Sequence, residues 1–136
     1  YFECEMVICD KHRKRANEIA SMVVIGDVTD RDVVLIDDIC DTGGTLCKSA
    51  ALMKEKGARS VRALCTHPVL SGNAYQNIQN SVLEELVVCD TIPLRGESSK
   101  IKVVSTDELF AVTIRNAFEN KSINSLFMRS RMANKK

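Results

Sequence analysis

This sequence of 136 residues is short of several things, and each absence removes a class of function. Net charge is nearly absent: 19 basic residues against 18 acidic ones leave no one-signed field to draw nucleic acid or an anionic membrane surface. No apolar run passes five residues, whereas a bilayer-spanning helix needs about 20. No charged segment followed by an apolar stretch opens the chain, so no secretory signal is read; Tyr1 in place of methionine sets the expectation that the natural start lies upstream. No C-x-x-C pair occurs among Cys4, Cys9, Cys40, Cys47, Cys65 and Cys89. That spacing argues against a zinc site or a disulfide framework, and for small apolar side chains in a reducing cytosol. No G-x-x-x-x-G-K-[ST] loop is present, since Lys48 after Gly43-Gly44-Thr45 has the wrong spacing. Internal repeats and low-complexity linkers are also missing.

What is present points to one domain with one core. The length suffices for it, and the hydrophobic content is 45%. The stretch VVLIDDICDTGGT, residues 33–45, organises the rest. Val33 to Ile36 read as a short strand buried on both faces, as in a parallel sheet. Asp37 and Asp38 follow at once, then the turn Asp41-Thr42-Gly43-Gly44-Thr45. From Gly44 to Lys56 the residues Leu46, Ala50, Leu52 and Met53 recur at helical spacing, and Gly57 is a stop signal. Strand, tight loop and helix in this order turn free backbone N–H groups and the positive end of the helix dipole towards one spot, which suits a phosphate. Gly43 and Gly44 are expected at positive φ, where no Cβ fits, with Thr42 and Thr45 adding hydroxyl donors. Carboxylates repel phosphate, so Asp37 and Asp38 should face the vicinal hydroxyls of a sugar, or a magnesium ion bridging to it. Phosphate at the loop and a diol at the acids describe a ribose 5-phosphate. Cys40, inside this stretch, is the one cysteine whose modification should affect a site.

Elsewhere, Glu5 to Cys9 read as a buried strand, followed directly by a basic loop, Asp10 to Arg15. Residues 16–22 give mixed signals, 23–25 a strand, and 30–32 a polar turn. Ser60 to Cys65, Leu86 to Cys89 and Ile101 to Val104 read as further strands. Ser71-Gly72-Asn73 should cap a helix from Ala74 to about Asn80. Thr106 should cap a last helix with Leu109, Phe110, Ile114 and Phe118 on one face. Strands alternating with helices predict an α/β fold, a parallel sheet flanked by helices with right-handed crossovers. His67 ends a strand, which places it near the site.

The hydrophobic strand followed by Asp-Asp and then Asp-Thr-Gly-Gly-Thr resembles the phosphoribosyl pyrophosphate (PRPP) motif shared by type I phosphoribosyltransferases and PRPP synthetases. Asp10-Lys11-His12-Arg13, the run from Thr66 to Ala74 and the run from Val87 to Leu94 are similar to PRPP synthetase, the ribose-phosphate pyrophosphokinase family. The likeness extends from about Met6 to Phe127 and covers the C-terminal portion of that family's enzyme. It implies a type I phosphoribosyltransferase-like domain over residues 1–127; residues 128–136 read by composition as a disordered basic tail. It also implies diphosphate transfer from Mg–ATP to the 1-hydroxyl of ribose 5-phosphate, giving PRPP and AMP.

By the same resemblance, Lys11 and Arg13 are catalytic, and Arg13 also contacts substrate. Asp37, Asp38, Asp41, Thr42, Gly43, Gly44 and Thr45 hold ribose 5-phosphate or PRPP. Ser122 and Phe127 match a regulatory phosphate or ADP pocket, with Asn124 where relatives often carry serine. The family's adenine loops and its own magnesium ligands are missing from this stretch, so alone the chain should bind but not turn over. Mg2+ with ATP as co-substrate, a cytoplasmic location, a homo-oligomer built from dimers, and no nucleic-acid or membrane partner complete the implied picture. A PRPP-consuming phosphoribosyltransferase and a non-catalytic PRPP-sensing protein are the alternatives. The first would need a base-recognising hood, and the second could dispense with Lys11 and Arg13.

Overall fold

Two kinds of strand run through this chain, and their pairing separates them. A computed structural model describes residues 4–15, 18–124 and 126. The highly charged β1 (Ile8–Arg15) and the mostly apolar β2 (Glu18–Ile25) come first and pair antiparallel, from Ile8 opposite Ile25 to Arg15 opposite Glu18. Strands β3 (Asp32–Cys40), β4 (Ser60–Pro68), β5 (Glu85–Cys89) and β6 (Ile101–Val104) form one parallel sheet in that order. Helix α1 (Gly44–Glu55) crosses from β3 to β4, and α2 (Ala74–Asn80) from β4 to β5. This is the expected α/β architecture, a parallel sheet flanked by helices.

The chain forms two compact units, Met6–Val104 and a second made of Tyr1–Glu5 with Ser105–Lys136. In the first, Leu46, Ala50 and Met53 of α1 and Ala74 and Ile78 of α2 are buried in one core with Val61, Ala63, Cys65, Leu86 and Val88. Burying each of the larger side chains contributes about 1.5–3 kcal/mol. Helix α1 ends as Gly57 takes φ +91° and donates to Lys54 O (3.0 Å), while Ala58 N donates to Met53 O (3.0 Å). This paired closure satisfies the last carbonyls, as the glycine stop signal predicted. The hairpin is fastened to α1 at its base: the Cys9 thiol donates to Ser49 Oγ (3.8 Å), and that hydroxyl donates to Met22 Sδ (3.7 Å). The second unit contains α3 (Asp107–Phe118), where Thr106 occupies the N-cap position without a side-chain cap bond.

Three sequence expectations need correction. The basic run is not a loop after a strand at Glu5–Cys9; it lies within β1, whose antiparallel partner gives its backbone a ladder whatever the side-chain polarity. Strand β3 does not stop at Ile36 but carries Asp37 and Asp38 within it, because pairing with β4 continues to Cys40 opposite Pro68. Nor is β3 buried on both faces. It is an edge strand, and Val34 and Ile36 are 48% and 69% exposed while Val33 and Leu35 pack against the core.

At the start of β3 the Asp32 carboxylate receives Arg59 Nε (2.9 Å) and Ser60 Oγ (2.6 Å) and forms an ion pair with Arg59. The Arg59 guanidinium first, and the Ser60 hydroxyl second, hold this carboxyl well below the usual carboxylate range. A depressed folded-state value stabilises above the ordinary pKa of about 3.9, and the gain disappears as pH falls through the folded value. Asp32→Asn should therefore lower the thermal midpoint slightly at neutral pH, and the gap from wild type should close progressively below about pH 4. Melting curves across pH 2–7 check this.

Candidate functional site

The loop between β3 and α1 is built by three constraints on its backbone. Gly43 is the N-cap of α1 at φ +71°, and an added Cβ would meet Ile78 Cγ1 at 3.4 Å. Its carbonyl accepts Cys47 N–H (2.9 Å), which starts the helix. The other two constraints come from the segment after β4. Ser71 N–H donates to Asp41 O (3.1 Å), and Asn77 Nδ2 of α2 donates to Thr42 O (2.9 Å). One residue earlier, Leu70 N–H donates to Cys40 O (3.1 Å).

Every peptide bond described is trans. In a trans peptide the carbonyl and the N–H of one unit point in opposite directions. Holding the Asp41 and Thr42 carbonyls on the 71–77 side therefore turns the Thr42 and Gly43 N–H groups to the other side. The first-turn N–H groups of α1 have no intrahelical acceptor, no side chain caps the helix, and no acidic residue lies in its first turn. The Gly43 N–H is buried and donates to the Cys40 sulfur, so the donors left for an anion are those of the first turn of α1, together with the positive helix end.

Only one of the two glycines has the predicted conformation. Gly43 takes positive φ, while Gly44 is the first helical residue with an ordinary φ, and a Cβ there would meet only Thr42 Oγ1, at 3.6 Å. Thr42 is exposed and Thr45 half-buried. Asp37 is half-buried and Asp38 exposed; as successive strand residues they lie on opposite faces of β3. Asp38 N–H donates to Asp37 Oδ1 (3.1 Å). The carboxylate of Asp41 has a partner within the protein, accepting the Ser71 hydroxyl at Oδ1. Cys40 is buried, and burial first, with the neighbouring Cys65 thiol second, pushes its thiol up to about 12. It is therefore a protonated, enclosed side chain at neutral pH rather than a reactive one.

Ser71 was read from sequence as part of a helix cap. Helix α2 does start at Ala74, but Asn73 makes no side-chain cap bond and the Ser71 hydroxyl serves Asp41 instead. Neither Ser71 nor Asn77 was expected at the site. The one signal was a hydroxyl shortly before a short helix and an amide in its middle, a pattern too common to single them out.

His67, at the end of β4, places Nδ1 2.9 Å from Thr91 Oγ1. Thr91 spends its only hydroxyl hydrogen on Thr66 O (2.9 Å), so it accepts from Nδ1–H, and in the neutral ring Nε2 is then the acceptor. Lys11 and Arg13 have their backbone in β1, with a register shift on either side of Arg13; their side chains lie outside the described residues. Ser122 belongs to the second unit, is exposed and accepts Asn124 N–H at Oγ (3.1 Å); Phe127 lies outside the described residues.

Residues 7–128 match the family model described as the phosphoribosyl synthetase-associated domain. The chain belongs to the phosphoribosyl synthetase family. Among curated members, the ribose-phosphate pyrophosphokinase of Campylobacter jejuni is 55% identical over 124 residues, which is 91% of this chain and 40% of that protein. Its namesake from Wolinella succinogenes is 54% identical over the same shares. The crystal structure of phosphoribosylpyrophosphate synthetase from Mycobacterium smegmatis superposes with a TM-score of 0.71 at 38% identity, covering 74% of this chain and 34% of that one. The chain thus spans about 40% of the length of the curated synthetases it matches. No helix among the described residues is long and apolar enough to cross a membrane.

The two glycines of the family loop should respond differently to alanine. Gly43→Ala forces a side chain into the left-handed region and should cost about 1–2 kcal/mol of stability. Gly44→Ala meets ordinary contact distance in a helical conformation and should be neutral or stabilising by up to about 1 kcal/mol. Urea unfolding of the two variants beside wild type gives both numbers.

Proposed function

We propose that this chain forms the ribose 5-phosphate half of a ribose-phosphate diphosphokinase. The reaction moves diphosphate from Mg–ATP to the 1-hydroxyl of ribose 5-phosphate, giving PRPP and AMP. The observation that carries this reading is the loop 41–45 at the N-terminus of α1, directly following two strand carboxylates, in a chain 55% identical to a protein named for this activity. In this reading the backbone donors at the start of α1 take the 5-phosphate, with the Thr42 and Thr45 hydroxyls beside them. Asp37 and Asp38 accept hydroxyls of the sugar in this reading. Lys11 and Arg13 stabilise charge building on the group in transfer, a role worth about two to three powers of ten in rate per donor.

Magnesium enters with ATP as the counter-ion of its phosphates. Among the described residues no three His, Cys, Asp or Glu side chains gather as a metal site, so those residues do not fit a resident ion. The remainder of the ATP site, assembly into a homo-oligomer, a cytoplasmic location and regulation at Ser122 and Phe127 belong to the same proposal.

Two measurements test it. In the full-length protein, label at the β- and γ-phosphates of ATP should appear in PRPP when ribose 5-phosphate is supplied. Consumption of PRPP with a free base, and no such transfer, would make it a phosphoribosyltransferase instead. The acids are tested by calorimetry on Asp37→Asn combined with Asp38→Asn. Ribose 5-phosphate should lose about 2–4 kcal/mol of binding, since each charged hydrogen bond contributes about 1.5–3 kcal/mol and the two need not add. Inorganic phosphate should bind as well as before or better, because repulsion is relieved. An equal loss for both ligands would leave the acids only a role in loop shape.

A further inference from the structure

Of the acids ahead of α1, Asp41 is the nearest in sequence to its first turn, two residues before the N-cap Gly43. It is exposed and follows the last residue of β3, so no strand alternation fixes its side chain. A carboxylate so placed has two ways of spoiling an anion site. It repels the anion through space, and it can swing onto the first-turn N–H groups of α1 and take the anion's place. The second does not happen, since α1 has no side-chain cap bond. The reason is that one serine grips Asp41 twice. Ser71 N–H donates to the Asp41 carbonyl (3.1 Å), and the Ser71 hydroxyl donates to Asp41 Oδ1. The Asp41 side chain is thereby drawn to the same partner as its own carbonyl, 30 positions away in sequence.

We propose that Ser71 is a positioning residue of the anion site: its hydroxyl holds the Asp41 carboxylate off the first turn of α1, so that a phosphate-bearing ligand meets backbone donors without a competing acid. The inference rests on reading the loop and helix start as the 5-phosphate site. Ser71 touches no reacting atom in this arrangement. A hydroxyl suits the work because it has one hydrogen, and spending it on Oδ1 satisfies the charge in place without adding a cation that would itself attract the ligand.

The test is a double-mutant cycle on this chain, read by calorimetry with inorganic phosphate and ribose 5-phosphate as probes. Ser71→Ala removes the hydroxyl and leaves the backbone N–H in place. It should weaken both ligands at least about threefold, because a full carboxylate charge becomes free to approach them. Asp41→Asn keeps an oxygen that accepts the Ser71 hydroxyl but loses the charge. In that background Ser71→Ala should change neither affinity by more than about 1.5-fold, since no charge is left to release. Ser71→Thr, which keeps a hydroxyl, should recover most of the loss seen in Ser71→Ala.

A role in bracing the loop alone gives a different pattern, because the Ser71 bond survives in Asp41→Asn and its removal would then cost the same in both backgrounds. An equal loss in both backgrounds overturns the proposal, and so does undiminished affinity in Ser71→Ala. Thermal midpoints should stay within a few degrees of wild type because the Ser71 side chain is exposed. Should Ser71→Ala melt early, the double variant shares that defect, and its binding measured below the midpoint still decides. If wild type itself binds neither ligand, the phosphate-site reading falls and takes this inference with it.

Discussion

The candidate site depends on where the carbonyls of residues 41 and 42 find hydrogen bonds. At the end of β3 the ladder with β4 runs out at Cys40 opposite Pro68, a residue without an N–H. The following backbone must satisfy its polar groups some other way, since an unpaired group cut off from water costs about 1–3 kcal/mol. The chain solves this by bringing the 70–77 segment back beside the loop and taking the carbonyls of Cys40, Asp41 and Thr42 in turn. One consequence is structural, because β3, α1 and α2 are locked together at the carboxyl end of the sheet. The other is chemical, because carbonyls gathered on one side leave N–H groups on the other. Open α/β sheets place ligands at this end of their strands, and here the hydrogen-bond pattern explains why.

Electrostatics around the loop follow from the same arrangement. Three aspartates within five residues ought to repel a phosphate strongly, and the sequence alone does not say how they avoid doing so. Asp41 is turned onto the Ser71 hydroxyl, on the side of the loop that also receives the Ser71 N–H. Asp37 and Asp38 are separated by the alternation of the strand that contains them. The first turn of α1 carries no acid at all, so the helix dipole is opposed only from a distance. Negative charge is therefore sorted by backbone geometry, with the anion end kept to N–H donors and the acids kept to the strand.

Much of this was legible in the sequence, for identifiable reasons. The start of α1 at Gly44, its end by Gly57, the bounds of α2 and the strand Ile101–Val104 are set by local signals: helical spacing, glycine stops and short β-branched runs. Gly43 was legible because its conformation is a property of one residue. Gly44 was misread because a pair of glycines looks the same whether one or both take positive φ. The hairpin was hidden because β1 carries Lys11, Arg13, Lys14 and Arg15, a charge pattern that the apolar templates for strands exclude. The open face of β3 was hidden for the opposite reason: Val34 and Ile36 are apolar yet exposed, and a run of four apolar residues does not reveal which neighbours cover it. Ser71 and Asn77 were illegible because their partners lie 30 and 35 positions away, and only the fold brings them together.

The separation of the chain into a parallel sheet and an antiparallel hairpin also separates two kinds of work in the proposed reaction. In that proposal the cradle holds a 5-phosphate that is chemically unchanged from substrate to product, so its donors would bind ground state and transition state alike. Such contacts lower KM and leave kcat nearly untouched. Lys11 and Arg13 sit on β1, a different sheet, whose base is tied to α1 through Cys9, Ser49 and Met22. If they meet the group in transfer, their interaction strengthens only as charge develops, and that appears in kcat. A single element carrying both sets of donors would have to hold substrate rigidly and follow the moving charge at once. In the proposed reaction, two sheets would let the loop be held by Ser71 and Asn77 without constraining the groups that act on the transferring diphosphate.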